Sequence, residues 1–385
     1  MTRVAPREHP EGTKADPVAS VRTGGAPLAQ LWRPVAVLVA ARLVMGAGMW
    51  AYQHVTHQYP INHWDGGWYV LAAQHGWPHH VKTGLGDAGQ DTLAFFPGFP
   101  TVIRVVHFAL PLSWLRAGEV AAFLTQVAMV AGMWLLARDV WGDEVADRTS
   151  VVLCFFPAAF VFAIMYSESM LMAASAFCLL ALRRQKWLLA GALAAVATAT
   201  RLVGIAVVVC CAWEAFQAVR KGRKWRALLS VPLGAAGVVG WFAYLWASTG
   251  DAKAWLDTER NGWAQHTSLL AIPRLVKSVL HTHPADPNQV LALAGTGLGI
   301  ILLVTLVVSR APIMLSLYSL AVLVISATSV NPSGIRFRFV MTAFPLLMVV
   351  AYRLKDAAFS VVVAGSAVVM SAMMVVTLTG GTLIP

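Results

Sequence analysis

ALAGTGLGIILLVTLVVS, residues Ala292–Ser309, is a run of eighteen residues without a charged side chain. With its flanks it approaches the roughly 20 apolar residues that a helix needs to cross the hydrocarbon core of a bilayer. Similar runs lie at Leu202–Trp213 and Ser360–Leu378, and Val35–Met49 is interrupted only by Arg42. Because open strands cannot satisfy their backbone hydrogen bonds in lipid, the pattern predicts an all-α, polytopic integral membrane protein.

The composition of the whole chain agrees with this prediction. Of its 385 residues, 58% are hydrophobic and only 12% are charged, whereas soluble domains carry about 25% charged residues. The four cysteines, Cys154, Cys178, Cys210 and Cys211, all lie in apolar runs, so neither a disulfide framework nor a cysteine-based zinc site is indicated. Membrane topology explains the net charge of +11 better than nucleic-acid binding does, and no nucleic-acid partner is expected.

The chain divides into a tail and one membrane domain. Residues 1–30 are polar and rich in Pro and Gly, which predicts a disordered cytoplasmic tail. Residues 31–385 are expected to form a single domain, with a first extracytoplasmic loop at 54–116 and a second large one at 250–288. About eleven transmembrane helices are predicted, near residues 33–53, 117–137, 149–165, 168–183, 187–200, 201–218, 228–248, 289–309, 312–329, 338–352 and 357–378.

One apolar segment, Phe95–Leu112, could cross the membrane or lie along its surface. If it does not cross, the cytoplasmic loops after residue 117 hold thirteen basic residues and the outer loops hold seven. If it crosses, the two counts are exchanged, and the basic cluster Arg220–Arg226 faces outward. Because cytoplasmic loops carry the excess of Lys and Arg, we expect a juxtamembrane helix here. The loops 54–92, 166–168, 250–288 and 331–338 then share the extracytoplasmic side.

The first of these loops contains the motif HWDGGWY, residues 63–69. Asp65 is a candidate catalytic carboxylate, since the two glycines allow close approach of a substrate and Trp or Tyr rings offer faces to a sugar. An interfacial turn with a solvated aspartate is the alternative. The motif FFPGFP, residues 95–100, follows at the start of the juxtamembrane helix, where its prolines are expected to fix the helix entry.

Two further outer segments carry charged residues. In YSES, residues 166–169, Glu168 could support Asp65 or orient an acceptor hydroxyl. Alternatively, Ser167 caps the next helix with Glu168 in its first turn. In NPSGIRFR, residues 331–338, Arg336 and Arg338 lie on the outer face against the positive-inside trend, and their guanidinium forks suit phosphate oxygens. Contacts to ordinary phospholipid headgroups are the alternative.

Some ionisable residues lie near membrane depth or in the first loop without a neighbouring motif. Arg201 follows an apolar stretch directly, which makes it a functional candidate by default, although it could also extend to the interface. Arg42 raises the same question and has no assigned role. His75 and His79 are spaced to chelate a metal if they share a helix, but no metal site is expected.

Together these segments resemble the PIG-V-like mannosyltransferases, a branch of the GT-C membrane glycosyltransferases. The resemblance extends over residues 60–345, whereas the 250–288 loop offers nothing that can be aligned. The ordered set consists of WDGGWY (64–69), FFPGFP (95–100), Pro157 with YSES (166–169), TRLVG (200–204), RFR (336–338) and Pro345.

The resemblance implies an inverting enzyme that moves mannose from a polyprenyl-phosphate-mannose donor to a lipid or glycolipid acceptor, without a metal or other cofactor. It implies a GT-C-like fold in the cell membrane, surrounded by membrane lipids, with a cytoplasmic N-terminus and an extracytoplasmic active site. Asp65 would be the catalytic base, and Arg201, Arg336 and Arg338 would bind the donor phosphate. The expected substrate contacts are His63, Trp64, Trp68, Tyr69, Tyr166 and Glu168.

Two other classes of function remain open at this stage. Ionisable groups near membrane depth would also suit a multi-pass transporter or flippase for a lipid-linked substrate, but no internal repeat is visible and the polar motifs share one side. A non-catalytic subunit of a glycosylation complex is the third possibility. The joint presence of Asp65, Glu168 and the arginines favours the enzyme.

Overall fold

The computed structural model describes residues 28–57, 65–222, 224–282, 284–330 and 334–380, which form a bundle of α-helices. Nearly all of the predicted N-terminal tail lies outside these residues. Two short strands, β1 (His266–Thr267) and β2 (Ser329–Val330), pair in antiparallel fashion. The helices are α1 (Trp32–Thr56), α2 (Asp65–His75), α3 (Gly98–Ala109), α4 (Trp114–Trp141), α5 (Asp143–Cys154), α6 (Glu168–Arg183), α7 (Trp187–Thr200), α8 (Ile205–Gly222), α9 (Ser230–Thr249), α10 (Ala254–Trp263), α11 (Ala271–His281), α12 (Pro287–Val308), α13 (Ile313–Ala327), α14 (Phe337–Thr342), α15 (Pro345–Arg353) and α16 (Asp356–Gly380).

Six helical segments among the described residues are long and apolar enough to cross a membrane. They belong to α1, α4, α8, α9, α12 and α16, and α7 and α13 are apolar but shorter. The outward faces of these helices are apolar as well. In α16, for example, Val361 and Val368 are about 70% exposed, which in water would be an unusually large apolar surface. The chain is therefore an all-α integral membrane protein, as predicted.

Two of the eleven predicted spans are broken helices. The span predicted at 149–165 consists of α5, which ends at Cys154, and a 3₁₀ turn at Ala159–Ala163. Pro157 lies between them, and a proline shortly after a helix end prevents the helix from continuing. The span predicted at 338–352 is divided into α14 and α15, with Pro345 at the start of the second helix. The count of about eleven crossings stays a prediction.

The structure supports the juxtamembrane prediction for Phe95–Leu112, which itself stays a prediction. This segment forms α3, which has 12 residues and is therefore about 18 Å long, too short to cross a bilayer. Moreover, α1 and α4 run in opposite directions, because Arg33 at the start of α1 pairs with Asp147, just beyond the end of α4, at 3.1 Å. The chain between these helices consequently leaves and re-enters the bundle at the same end.

Contacts join the four polar loops at that same end. Tyr69 of the first loop lies 2.6 Å from the Ser167 hydroxyl, and Trp68 packs on Trp263 of the second large loop. The pairing of β1 with β2 ties that second loop to the segment before α14. The sequence-based grouping of these loops on one side of the bundle is thus confirmed, and it assembles the site described below.

Arg42, which the sequence analysis left without a role, stabilises the broken helix. Its guanidinium donates a hydrogen bond to the carbonyl oxygen of Phe162 in the 3₁₀ turn. The Gln126 amide on α4 donates to the same oxygen at 2.8 Å. Irregular backbone inside a membrane protein must find hydrogen-bond partners within the protein. Arg42 and Gln126 supply them and hold the turn that leads to residues 166–168.

We expect Arg42→Leu to lower the stability of the purified protein by about 1.5–3 kcal/mol, the usual loss for a hydrogen bond from a charged donor. The measurement is the midpoint of thermal unfolding in detergent. Arg226→Gln, at an exposed position, is the matched control and should leave the midpoint unchanged. Equal midpoints for Arg42→Leu and the wild type would contradict the assigned role.

Candidate active site

Asp65 is the first residue of α2, where the helix dipole favours a carboxylate. The hydroxyl of Tyr166 accepts a hydrogen bond from the Asp65 backbone N–H, which fixes the start of α2 against the link between α5 and α6. His63 and Trp64, the other two predicted contacts in this motif, lie outside the described residues. The remaining candidates come to the Asp65 region from three other parts of the chain.

Arg201 approaches from the end of α7. Its Nη1 lies 3.2 Å from the Glu168 carboxylate and 3.3 Å from the hydroxyl oxygens of both Tyr69 and Ser167. Glu168 is buried as the first residue of α6. Ser167 does not cap that helix, because its hydroxyl is engaged with Tyr69 instead. The capping interpretation of this segment is therefore wrong, although Glu168 does lie in the first helical turn.

Arg338 approaches the same carboxylate from α14. Its Nε lies 3.4 Å from Glu168 Oε1, and its guanidinium lies over the ring of Tyr166 at 5.5 Å from the centroid. Glu168 therefore bridges Arg201 and Arg338, which are distant in sequence. Arg336, at the start of α14, is buried beside them with only 6% of its surface exposed. Burial and then the charge of Arg338 lower the pKa of Arg336 to about 9.

The close approach of α12 to this arginine segment depends on a glycine. A Cβ atom at Gly295 would lie 2.3 Å from the carbonyl oxygen of Ile335 and 3.2 Å from the carbonyl carbon of Arg336. Both are backbone atoms, which cannot rotate away. The Thr296 hydroxyl next to it accepts a hydrogen bond from the Ile335 N–H at 3.1 Å. Gly295 and Thr296 together fix the backbone that presents the two arginines.

Three arginines converge on the carboxyl groups of Asp65 and Glu168. Burial raises the pKa of Asp65, while the charges of Arg338 and Arg201 lower it. A further carboxyl group, that of Asp286, acts on Arg336. The guanidinium groups are fork-shaped donors that suit the oxygens of an anionic ligand.

A shallow, mainly apolar groove opens beside Arg336 and Arg338. Its walls come from the 3₁₀ turn, α12, α14 and α16, and Arg336 and Arg338 form its charged end. The apolar lining consists of Ala158, Phe160, Val161, Leu291, Phe337 and Met373, with Asn288 as a polar neighbour. A groove of this kind suits a molecule with a long apolar part and an anionic head.

Aromatic rings form another wall of the site. Trp68 stacks on Phe95, with ring centroids 6.0 Å apart, and Trp263 packs edge-on against both rings. Trp68 is half-buried, so part of its surface remains available to a ligand. Tyr69 is only 3% exposed and packs against Phe95 and Phe99. The geometry therefore assigns Tyr69 to the layer that supports Arg201.

One charged residue of this region escaped the sequence analysis. Glu259 lies on α10 in the second large loop, and burial, followed by the charge of Asp65, raises the pKa of its carboxyl to about 8. The charge of Arg201 opposes this rise and lowers the pKa of the same carboxyl group. A local signal was present, because Glu259 lies between Trp255 and Trp263 at helical spacing, on an otherwise aromatic face.

The histidines of the first loop do not form the chelating pair that a continuous helix would produce. His75 is the last residue of α2, and Gly76 ends the helix with a positive φ of 81°. His79 therefore lies beyond the helix. Among the described residues, no group of three or more His, Cys, Asp or Glu side chains has an arrangement that could hold a metal ion.

Comparison with known proteins identifies the fold. No protein-family model and no curated protein sequence matches the chain. Among solved structures, ArnT from Cupriavidus metallidurans bound to undecaprenyl phosphate is similar at 19% identity and a TM-score of 0.53, over 93% of this chain and 66% of that one. The archaeal oligosaccharyltransferase AglB from Archaeoglobus fulgidus, in complex with an inhibitory peptide and a dolichol-phosphate, is similar at 13% identity and a TM-score of 0.50, over 91% and 56%. The chain thus has the fold of GT-C membrane glycosyltransferases, and it spans less than two thirds of the length of these proteins.

We expect Gly295→Ala to destabilise the protein by about 1–3 kcal/mol, because the added methyl group meets backbone that cannot move aside. Gly297→Ala on the same helix is the matched control, since nothing lies within 4 Å of its added Cβ, and alanine is the better helix former. Thermal unfolding in detergent should show a lower midpoint for the first variant only. Identical midpoints for the two variants would contradict the proposed close contact.

Proposed function

We propose that this protein is a membrane glycosyltransferase that moves a sugar from a polyprenyl-phosphate donor to a hydroxyl group of an acceptor. The observation that carries the proposal is the interaction of Asp65 with Arg201, Arg336 and Arg338. Arg336 and Arg338 also line an apolar groove. A base and an anion-binding cluster side by side are what glycosyl transfer from a lipid phosphate requires.

The groove and the arginines that line it support a lipid-phosphate donor. The ArnT structure contains undecaprenyl phosphate and the AglB structure contains a dolichol-phosphate, both long lipids with a phosphate head. In this chain the lipid would lie along the apolar walls made by the 3₁₀ turn and α16. Its phosphate would lie against Arg336 and Arg338.

In the proposed reaction, Asp65 takes the proton from the acceptor hydroxyl as that oxygen attacks the anomeric carbon of the donor. The bond between this carbon and the phosphate oxygen breaks, and the lipid phosphate leaves with the electron pair from the opposite face. A β-linked donor therefore gives an α-linked product. Arg201, Arg336 and Arg338 stabilise the charge that develops on the leaving phosphate, and no step requires a metal.

The other residues have supporting roles in this proposal. Glu168 holds Arg201 and Arg338 at their positions, and Tyr69 and Tyr166 pack beneath these two arginines. Trp68 offers a ring face to the sugar, as the sequence analysis expected. We also propose contacts of His63 and Trp64 with the substrate, on the basis of their place in the motif next to Asp65.

The identity of the sugar comes from the motif resemblance to the PIG-V-like family. We propose mannose as the transferred sugar and a lipid or glycolipid as the acceptor. From the distribution of basic residues, we propose that the N-terminus is cytoplasmic and that the site faces the outside of the cell membrane.

Replacement of the base tests the reaction. We expect Asp65→Asn to reduce transfer from radiolabelled polyprenyl-phosphate-mannose by at least about 100-fold, the contribution typical of a general base. The assay uses wild-type or variant protein in detergent with a lipid extract as the source of acceptor, and Asp87→Asn, an exposed carboxyl in the same loop, as the control. Full activity of Asp65→Asn would rule out its role as the base, and failure of the folded wild type with every lipid-phosphate sugar would rule out the function.

Binding of the donor phosphate is tested separately from transfer. We expect Arg336→Gln to weaken the binding of polyprenyl phosphate by about 10-fold to about 100-fold, because a charge-assisted hydrogen bond contributes about 1.5–3 kcal/mol. The measurement is a binding titration of the detergent-purified protein. Arg274→Gln, an exposed arginine on α11, should bind as the wild type does, and unchanged binding by Arg336→Gln would contradict the phosphate role.

A further inference from the structure

Glu259 is directed toward the active site by the helix that carries it. Trp255 and Trp263 lie four residues before and after it on α10, so the three side chains share one face. Trp263 packs on Trp68, which is three residues from Asp65 on α2, at 5.8 Å between ring centroids. Trp255 donates a hydrogen bond from its indole N–H to the Ala94 carbonyl oxygen at 3.1 Å. The α10 face that carries Glu259 therefore rests on the first loop beside Asp65.

The carboxyl group of Glu259 is half-buried and has neither a hydrogen bond nor an ion pair among the described residues. The charged groups that act on it are Asp65 from α2 and Arg201 from the end of α7. The elements packed against α10 also carry charged or titratable groups, none of which is among the main causes of the raised pKa of Glu259. They are Asp87, the Asp91–Lys82 pair beside the 3₁₀ turns of the first loop, His266 of β1, and Asp251 and Lys253 between α9 and α10.

We propose that Glu259 is a positioning residue of the active site, which holds the single proton of a carboxyl pair while Asp65 remains ionised as the base. This inference rests on the proposed function. Two carboxyl groups in one poorly solvated site do not both ionise readily, so one of them retains a proton. A neutral Glu259 leaves the positive charge of the arginine cluster available to the anionic donor. An ionised Glu259 would add a second negative charge beside Asp65 and oppose the binding of the donor phosphate.

The proposal predicts a loss of activity on the alkaline side. The pKa of Glu259 is raised to about 8, so the carboxyl is neutral below that pH and ionises as the pH rises through it. We expect kcat/KM for the lipid-phosphate donor to fall above about pH 8, approaching tenfold per pH unit when only the neutral form is active. Glu259→Gln, which is neutral at every pH, should lose the decline centred near pH 8, and its activity should fall only at the higher pH at which Arg336, with a pKa of about 9, loses its proton.

Asp257→Asn removes a carboxyl from the same helix and serves as the matched control, with an alkaline decline expected to equal that of the wild type. A decline centred near pH 8 that persists in Glu259→Gln would overturn the proposal. So would a uniform loss of activity at all pH values in folded Glu259→Gln protein, because that result would indicate a structural role only.

An infrared titration decides the same point without any transfer reaction. The absorption of a protonated carboxyl should disappear near pH 8 in the wild type and be absent from Glu259→Gln. In Asp65→Asn it should disappear at a lower pH, because the neighbouring negative charge is gone. If the wild type transfers no sugar but shows this titration, the proposed function is refuted and the proposal of a Glu259–Asp65 carboxyl pair stands. Identical spectra for the wild type and Glu259→Gln, or no shift in Asp65→Asn, would refute the pair.

Discussion

The buried carboxylate of Glu168 is the contact on which the arrangement of the site depends. It lies 3.2 Å from Arg201 and 3.4 Å from Arg338, and it thereby joins α6, the end of α7 and α14. A buried ion pair seldom adds much net stability, because the desolvation of its charges offsets their attraction. Its effect is on position, since without Glu168 the two guanidinium groups would repel each other. The Arg338 Nε is buried and makes no hydrogen bond among the described residues, so its contact with Glu168 is an electrostatic one.

Placing Glu168 at the site requires a break in the membrane helices. A continuous helix through residues 149–165 would pair every backbone N–H and C=O group within itself and would carry the chain beyond the position of the site. The 3₁₀ turn at Ala159–Ala163 interrupts this helix, and Arg42 and Gln126 both donate hydrogen bonds to the carbonyl oxygen of Phe162. The same turn forms a wall of the apolar groove. One local irregularity therefore both positions the central carboxylate and shapes the surface on which the lipid part of a donor would lie.

Much of this fold could be predicted from local sequence patterns. Hydrophobic runs indicate where helices lie, and the imbalance of basic residues predicted a short surface helix within Phe95–Leu112, in agreement with the 12 residues of α3. The grouping of Asp65, Glu168 and the arginines at one end followed from counting the crossings between them. All of these inferences use chain direction and residue type, which are properties of the sequence itself.

The parts that could not be predicted depend on contacts between distant segments. Ser167 has the residue type of a helix cap, but the hydroxyl of Tyr69 competes for it at 2.6 Å. The partner of Arg42 is a carbonyl oxygen 120 residues away. It lies at a helix break that hydropathy does not reveal. The spacing of Glu259 between Trp255 and Trp263 marks an unusual carboxyl group, but its place in the site followed only from the packing of α10 against the first loop.

The three acidic residues of the site differ in environment, and this difference gives each a separate role. Glu168 lies between Arg201 and Arg338 and holds them in position. The pKa of Asp65 is raised by burial against the pull of Arg338 and Arg201, which gives this carboxylate a stronger affinity for a proton. The pKa of Glu259 is raised by burial and by the charge of Asp65, and Arg201 is the cation that opposes this rise among the described residues. Sites that separate the proton affinities of neighbouring carboxyl groups assign the acid and base roles of a reaction in this way. Here burial raises both pKa values, and the arginines oppose it to different extents, with two acting on Asp65 most strongly and one on Glu259.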